Sequence, residues 1–251
     1  MKRAPDLSGA FFFVKRKGWR EIDRDEFQLT YAIIRGYHLK RKRMLIVFYS
    51  FTQQTRVLLK RFVEGLEREG IEVVFERLEP VTPYPFPFKT DFRLAVAMVR
   101  TFLRQRMTIH PVSAQCFADW DCVVIAGPTW SYHPSGPVLD FLDRYGQQVC
   151  AGKRVIPFIS CRSYWRIHYW TLKYYLQKYQ AKPLAPIVFV HPIKEPWRFI
   201  GLVLQMRGKM VRKEKSWFRK HYPGFGHNKE QGDMAMEEGR RMARRLLTED
   251  D

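Results

Sequence analysis

The run Arg43-Met-Leu-Ile-Val-Phe-Tyr-Ser-Phe-Thr-Gln-Gln-Thr55 constrains the fold of this chain more than any other stretch. Its first half is an unbroken apolar run of β-branched and aromatic residues, short enough to be a strand buried on both faces, as parallel sheets require. Ser50, Thr52 and Thr55 then put three hydroxyls into a six-residue turn, and Leu58, Phe62, Gly65 and Leu66 recur at helical spacing. A strand, a hydroxyl-rich loop and a helix in this order can wrap a phosphate, because N–H groups at the helix N-terminus and nearby hydroxyls aim donors at one anion. An ordinary βα turn, capped by its Ser and Thr, accounts for the same residues. The remainder of the chain has to decide.

Downstream the pattern repeats. Gly70 stops the first helix and Ile71 to Arg77 reads as a second strand. Glu79 to Phe88 holds four prolines and three aromatics, a stiff extended connector. A helix is expected from Thr90 to Met107, with Leu94, Met98 and Phe102 on one face. Asp121–Gly127 is the next buried strand, and Val138, Phe141 and Leu142 start a helix that Gly146 can end. Arg154–Ile159 is a fourth strand. The helix after it carries Trp165, Tyr169, Leu172, Leu176 and Tyr179 as one stripe, with Trp170 and Tyr174 off the stripe and expected to be covered by another segment. Leu184–Val190 is a fifth strand, and a last helix runs from about Lys229 to Leu247 with Met236, Met242 and Leu246 inward.

Strands alternating with helices imply an α/β architecture of three layers: a five-stranded parallel sheet, order 2-1-3-4-5, with helices on both faces and right-handed crossovers. Ligands bind such sheets beyond the carboxyl ends of the strands, at the topological switch point. Three loops lie at that end: Ser50 to Thr55, Pro128 to Gly136, and Ser160 to Trp165. One offers phosphate donors and two offer aromatic rings, a combination suited to a phosphorylated planar aromatic ligand.

The formal charge of +19 is unevenly placed. Residues 1–43 carry 12 basic and 5 acidic side chains, residues 191–221 carry 9 and 2, and the rest of the chain is mildly basic. A basic N-terminal extension (1–42) thus precedes a domain over 43–251, which holds a basic aromatic insertion at 191–227 and a final helix at 229–248. Any partner seeking positive charge meets these appendages first. Cys116, Cys122, Cys150 and Cys161 have neither metal-ligand nor disulfide-framework spacing, so a reducing, cytoplasmic compartment and no metal are expected. No apolar run reaches the ~18 residues of a membrane span, and Phe11–Val14 is too short for the core of a signal peptide.

The order of elements, the Ser50-x-Thr52-x-x-Thr55 loop and Gly127-Pro-Thr-Trp-Ser-Tyr-His-Pro-Ser-Gly-Pro-Val-Leu-Asp-Phe-Leu142 resemble the flavodoxin-like superfamily of FMN-binding proteins, including its NAD(P)H:quinone reductase branch. The resemblance covers roughly residues 43–190 and the final helix. More loosely, Glu79-Pro80, Pro85-Phe86-Pro87 and Ser160-Cys161-Arg162 with Trp165 are similar to flavodoxin-like proteins of dialkylresorcinol and aryl-polyene lipid pathways, often named condensing enzymes. The resemblance implies that Ser50, Thr52, Gln53, Gln54 and Thr55 hold the FMN phosphate. It places Pro128, Thr129, Trp130, Ser131 and Tyr132 beside the isoalloxazine, and Ser160, Cys161, Arg162 and Tyr164 on the third flavin loop. Gln53 departs from the family pattern, which has glycine there.

The function this implies is an FMN-dependent oxidoreductase, with NAD(P)H as donor and an amphipathic quinone-like or aromatic lipid substrate. His133 and Arg162 are its candidate catalytic residues, set to neutralise developing charge. Three other readings compete: acyl or condensing chemistry with Cys161 as nucleophile, a flavodoxin fold that serves without flavin as an accessory protein, and nucleic-acid binding through the basic appendages. Nothing in the sequence matches a nucleic-acid module. Residues 191–221 are expected to touch an anionic membrane surface or to form a cover over the site; the alternative is that Trp197 to Met206 fold back as a helix over the aromatic face of the helix before it. A homodimer is compatible with all of these readings.

Overall fold

The computed structural model describes residues 12–15, 18–21, 41–209, 217–222, 224 and 226–248. The chain forms two compact units, 1–41 and 42–251. The described part of the first is an antiparallel hairpin, β1 (Phe12–Lys15) with β2 (Gly18–Glu21), in which Phe12 stands opposite Glu21.

In the second unit β3 (Arg43–Phe48) is flanked by β4 (Glu72–Arg77) and β5 (Cys122–Trp130), and β5 by β7 (Arg154–Cys161), all parallel. The expected fifth strand is two short ones, β8 (Lys182–Pro183) and β9 (Ile187–Val190), both paired with β7. Pro183 and Pro186 bracket the break, and neither can donate to the ladder. A two-residue β6 (His133–Pro134) folds back antiparallel on the end of β5. The sheet therefore has seven strands, not a clean five, although its parallel backbone keeps the expected 2-1-3-4-5 order.

Successive strand residues point to opposite faces, and both faces are covered. Met44, Ile46, Phe48, Val124 and Phe158 pack under α1 (Gln54–Arg68) and α8 (Lys229–Thr248), using Leu58, Phe62, Leu66, Met242 and Leu246. Leu45, Val47, Val123, Ile125 and Val155 pack on the other side. Their partners are Leu139 and Phe141 from α3 (Gly136–Phe141), Val149 from α4 (Gln147–Cys150), and Leu172 and Leu176 from α5 (Trp165–Lys178). Within the first layer α1 and α8 approach so closely that Gly65 and Gly239 each lie against the other helix's backbone.

Four sequence expectations are corrected. The helix after the proline segment, α2 (Asp91–Phe102), stops five residues before Met107, because Arg104 turns to φ +58°. Gly146 ends nothing. It closes a π-helical stretch, Leu142–Gly146, that joins α3 to α4, and its missing side chain makes room for the Tyr179 ring. Trp170 and Tyr174 are 62% and 64% exposed, so no described segment covers that face of α5. The insertion's helix, α6 (Trp197–Met206), does not cover α5 either. Val203 and Met206 pack with Phe88, Leu94 and Tyr84 of the proline segment and α2. The Phe88 N–H donates to the Met206 carbonyl (2.7 Å), and Arg207 reaches both the Phe88 carbonyl (2.6 Å) and Asp91 (2.7 Å). The short α7 (Trp217–His221) follows. The helix expected around Phe27–Ile34, and the basic residues Arg212, Lys213 and Lys215, lie outside the described residues.

Candidate functional site

Packing α6 over the carboxyl ends of β3, β5 and β7 leaves a cavity of about 590 Å³. All three loops singled out in the sequence open into it. Ser50, Thr52, Gln54 and Thr55 line it from the first loop, Pro128 to Tyr132 from the second, and Ser160 to Tyr164 from the third. The stripe Leu94, Met98 and Phe102 lines this cavity; Leu94 is buried in a small core with Phe88 and Ala97, and Met98 and Phe102 are substantially exposed.

In the first loop the Ser50 hydroxyl accepts from the Arg56 N–H (3.3 Å), tying the turn to the start of α1, whose first turn carries no acidic residue. Gln53 sits at φ +64°, the left-handed region that favours glycine; for a residue with a Cβ this costs on the order of 1 kcal/mol. It does not line the cavity, and its exposed amide oxygen accepts from Arg56 (3.5 Å). Gln54 turns its amide oxygen to the His227 N–H (2.9 Å). That contact needs Gly226, which is at φ +98° with the Gln54 amide where a Cβ would be.

The second loop is a two-residue hairpin turn. Ser131 (φ +42°) and Tyr132 (φ +76°) both have positive φ, as a tight turn matched to strand twist demands. Ser131 pays for none of this alone: its hydroxyl is 2.7 Å from that of Thr101 and 3.2 Å from the Met98 carbonyl, which anchors the turn on α2. Trp130 meets Tyr49, Phe51 and Tyr84 at ring separations of 5.5–5.9 Å, and Tyr132 lies 5.1 Å from Tyr164 across the mouth. Beneath them the Thr129 hydroxyl bonds Nδ1 of His168 (2.8 Å). Burial pushes His168 down to about 3, so the imidazole is neutral at physiological pH.

This arrangement, a parallel sheet whose order reverses between β3 and β5, with the three loops at the carboxyl ends of β3, β5 and β7, is the flavodoxin topology. The fold is flavodoxin-like. No protein-family profile and no curated protein matches the sequence. Among solved structures, a flavodoxin from the domain Archaea is similar at a TM-score of 0.49 and 10% identity, over 82% of this chain and 99% of that one. A flavoprotein from Lactobacillus acidophilus in complex with FMN has a TM-score of 0.47 and 14% identity, over 59% and 93%. An NAD(P)H:quinone oxidoreductase from Methanothermobacter marburgensis has a TM-score of 0.38 and 13% identity, over 70% and 99%.

The donor set of the flavodoxin-like domain fits a phosphate monoester: three hydroxyls at the N-terminus of a long helix without a first-turn carboxylate. Trp130, Tyr132 and Tyr164 supply rings beside it. Arg162 lines the cavity, 3.5 Å from Glu195, with its guanidinium 5.0 Å over the Phe199 ring. His133 does not line it; its Nδ1 is buried without a hydrogen-bond partner, and burial, then Arg104, lower its pKa. Cys161 is in the wall, but burial pushes its thiol up to about 12, and Arg198 offsets only part of that. A thiol so hard to ionise forms little thiolate at neutral pH, which weighs against Cys161 as a nucleophile.

Sequence reasoning missed Tyr84 and Phe88 as cavity walls, and His191 and His227 near its floor, whereas Val203 and Met206 lie in the segment expected to cover the site. Proline spacing marked the first pair as held rings, without showing what they face. The histidines carry no local signal, because they come from the segment between β9 and α8.

Proposed function

We propose that this protein is an FMN-binding oxidoreductase that takes reducing equivalents from NAD(P)H and passes them to an amphipathic quinone-like or aromatic lipid substrate. One observation carries the reading: a single cavity joins a phosphate-type loop to an apolar chamber walled by Tyr84, Phe88, Leu94, Met98, Val203 and Met206. Flavin, when bound, supplies the hydride chemistry, and the protein supplies anchoring, orientation and electrostatics. Ser50, Thr52 and Thr55 hold the phosphate. Trp130, kept on edge by Tyr49 and Phe51, limits where a planar ring can lie. Neutral His168 fixes the direction of the Thr129 hydroxyl, and Arg162 keeps positive charge at the wall, where charge developing on a reduced substrate is stabilised. The apolar chamber takes the substrate's tail and excludes water from its head.

The test is nicotinamide oxidation by the FMN-loaded protein, with a short-chain and a long-alkyl quinone compared. Turnover with a lower KM for the long-alkyl quinone is expected, since each buried methylene contributes about 0.8 kcal/mol. No nicotinamide consumption with either quinone would sink the reading.

A membrane surface is where such a substrate is most available. Exposed Phe102, Tyr132 and Tyr164 at the cavity rim, and exposed Trp217 three residues from Lys220, support peripheral contact with anionic lipid. No described helix is long and apolar enough to cross a membrane. Pelleting with phosphatidylserine vesicles but not with phosphatidylcholine vesicles, lost at high salt, is the expected result; equal pelleting with both removes the electrostatic part.

A further inference from the structure

Ser160 is the penultimate residue of β7, on the cavity wall, and its hydroxyl is 2.8 Å from Nε2 of His227. Nδ1 of His227 is 2.9 Å from the amide oxygen of Gln231, one turn into α8. The amide orientation is settled by its other end, because the Gln231 nitrogen donates to the Val190 carbonyl (2.6 Å). Gln231 therefore presents its oxygen, Nδ1 of His227 must carry the proton, and Nε2 turns its lone pair to the Ser160 hydroxyl. The His227 backbone is fixed as well, by the Gln54 amide and by Gly226, whose N–H donates to Nε2 of His191 (3.2 Å). Burial lowers the pKa of His227, partly countered by Gln231, which leaves the ring neutral and able to accept a proton. Three residues 67 and 4 positions apart thus form hydroxyl, imidazole and orienting carbonyl in series, the geometry by which a serine hydroxyl is activated.

We propose that Ser160 is a nucleophile toward apolar acyl esters or thioesters entering this cavity, with His227 as general base and Gln231 as the residue that positions it. Ser160 Oγ forms a bond to the acyl carbon while its proton passes to Nε2 of His227. The bond to the alcohol or thiol then breaks, and that leaving group takes the same proton. Water, activated by His227 in turn, cleaves the acyl-serine to the free acid and restores the hydroxyl. No redox partner enters the balance. The class of substrate follows from the walls: the cavity that Ser160 lines is also lined by Phe88, Leu94, Met98, Val203 and Met206, which suit an aliphatic or aryl acyl chain. Gln231 stands where a carboxylate would stabilise the imidazolium better, so the native arrangement is a slow one.

The proposal is independent of the flavin reading and is tested on the full chain freed of flavin. A fluorophosphonate probe is added and the adduct mapped by mass, alongside hydrolysis of p-nitrophenyl octanoate. A single adduct on Ser160 is expected, absent in Ser160→Ala. His227→Gln should slow both labelling and hydrolysis by about 100-fold, with a melting curve showing that the variant is folded. Gln231→Glu should raise the hydrolysis rate and move the acid limb of its pH profile to higher pH, because a carboxylate raises the pKa of His227; a packing role for Gln231 would move neither. No adduct on Ser160 in folded, flavin-free protein overturns the proposal, as does labelling unaffected by His227→Gln. A protein that labels at Ser160 but ignores FMN leaves this proposal standing and removes the other.

Discussion

Gly239→Ala is expected to destabilise the flavodoxin-like domain by about 1–3 kcal/mol, the usual cost of overpacking a tight contact. A Cβ at Gly239 falls on the Phe62 carbonyl oxygen and close to the Leu66 N–H, and one at Gly65 falls on the Met236 carbonyl oxygen. These are backbone atoms, which no rotamer change can move. The helices α1 and α8 must separate, loosening Phe62 and Leu66 from the sheet on one side and Leu246 on the other. Alanine's better helix propensity, worth up to about 1 kcal/mol over glycine, offsets part of this but not the clash. For a domain of this size each kcal/mol lowers Tm by about 2–4 °C, so urea or thermal melts read the effect directly. A variant as stable as the wild type would mean that α1 and α8 are not in backbone contact.

Acidification from pH 6.5 to 4.5 is the second large effect. His168 is held down to about 3 and His191 to about 4, each first by burial, against about 6.5 in an unfolded chain. Between those values the unfolded state takes up protons that the folded state refuses, so stability is complete above 6.5 and falls as pH drops. His168, fully buried against Thr129, contributes on the order of 2–3 kcal/mol of loss by pH 4.5. The lowered carboxylate of Asp143, bonded to Arg106 and Tyr175, adds a loss in the same direction at lower pH. Urea melts across this range should show the fall, reduced in His168→Gln. A flat profile between pH 6.5 and 4.5 would show that these imidazoles are not buried as neutral groups.

The parts of this molecule legible in the sequence are those where one residue's neighbours in the chain determine its surroundings. Met44 to Phe48 reads as a doubly buried strand because every residue is apolar, and it is one. The hydroxyl turn and α1 follow from local chemistry in the same way. The stripe of Leu94, Met98 and Phe102 is a different case: periodicity marks an apolar helix face but does not say whether a core or a cavity lies opposite, and here Leu94 joins a small core while Met98 and Phe102 face the cavity. The exposed Trp170 and Tyr174 show the same ambiguity with the opposite outcome. Close packing of α1 on α8 was written in Gly65, Gly232, Ala235 and Gly239, a signal that an apolar-period count passes over because small residues add little hydrophobicity. The approach of His227 to Ser160 depends on where a 67-residue excursion returns, and no local pattern encodes that.

Titration of the flavin-free protein with FMN and with riboflavin, followed by the visible spectrum and by flavin fluorescence, bears most directly on the claim that the Ser50–Thr55 loop seats a phosphate at the end of this sheet. The account predicts that FMN binds with a perturbed spectrum and at least tenfold more tightly than riboflavin, as expected if the loop contributes about 1.4 kcal/mol or more through the phosphate. It further predicts that the difference shrinks in Thr52→Ala and Thr55→Val. Equal affinity for the two flavins, or no binding of either, would contradict it.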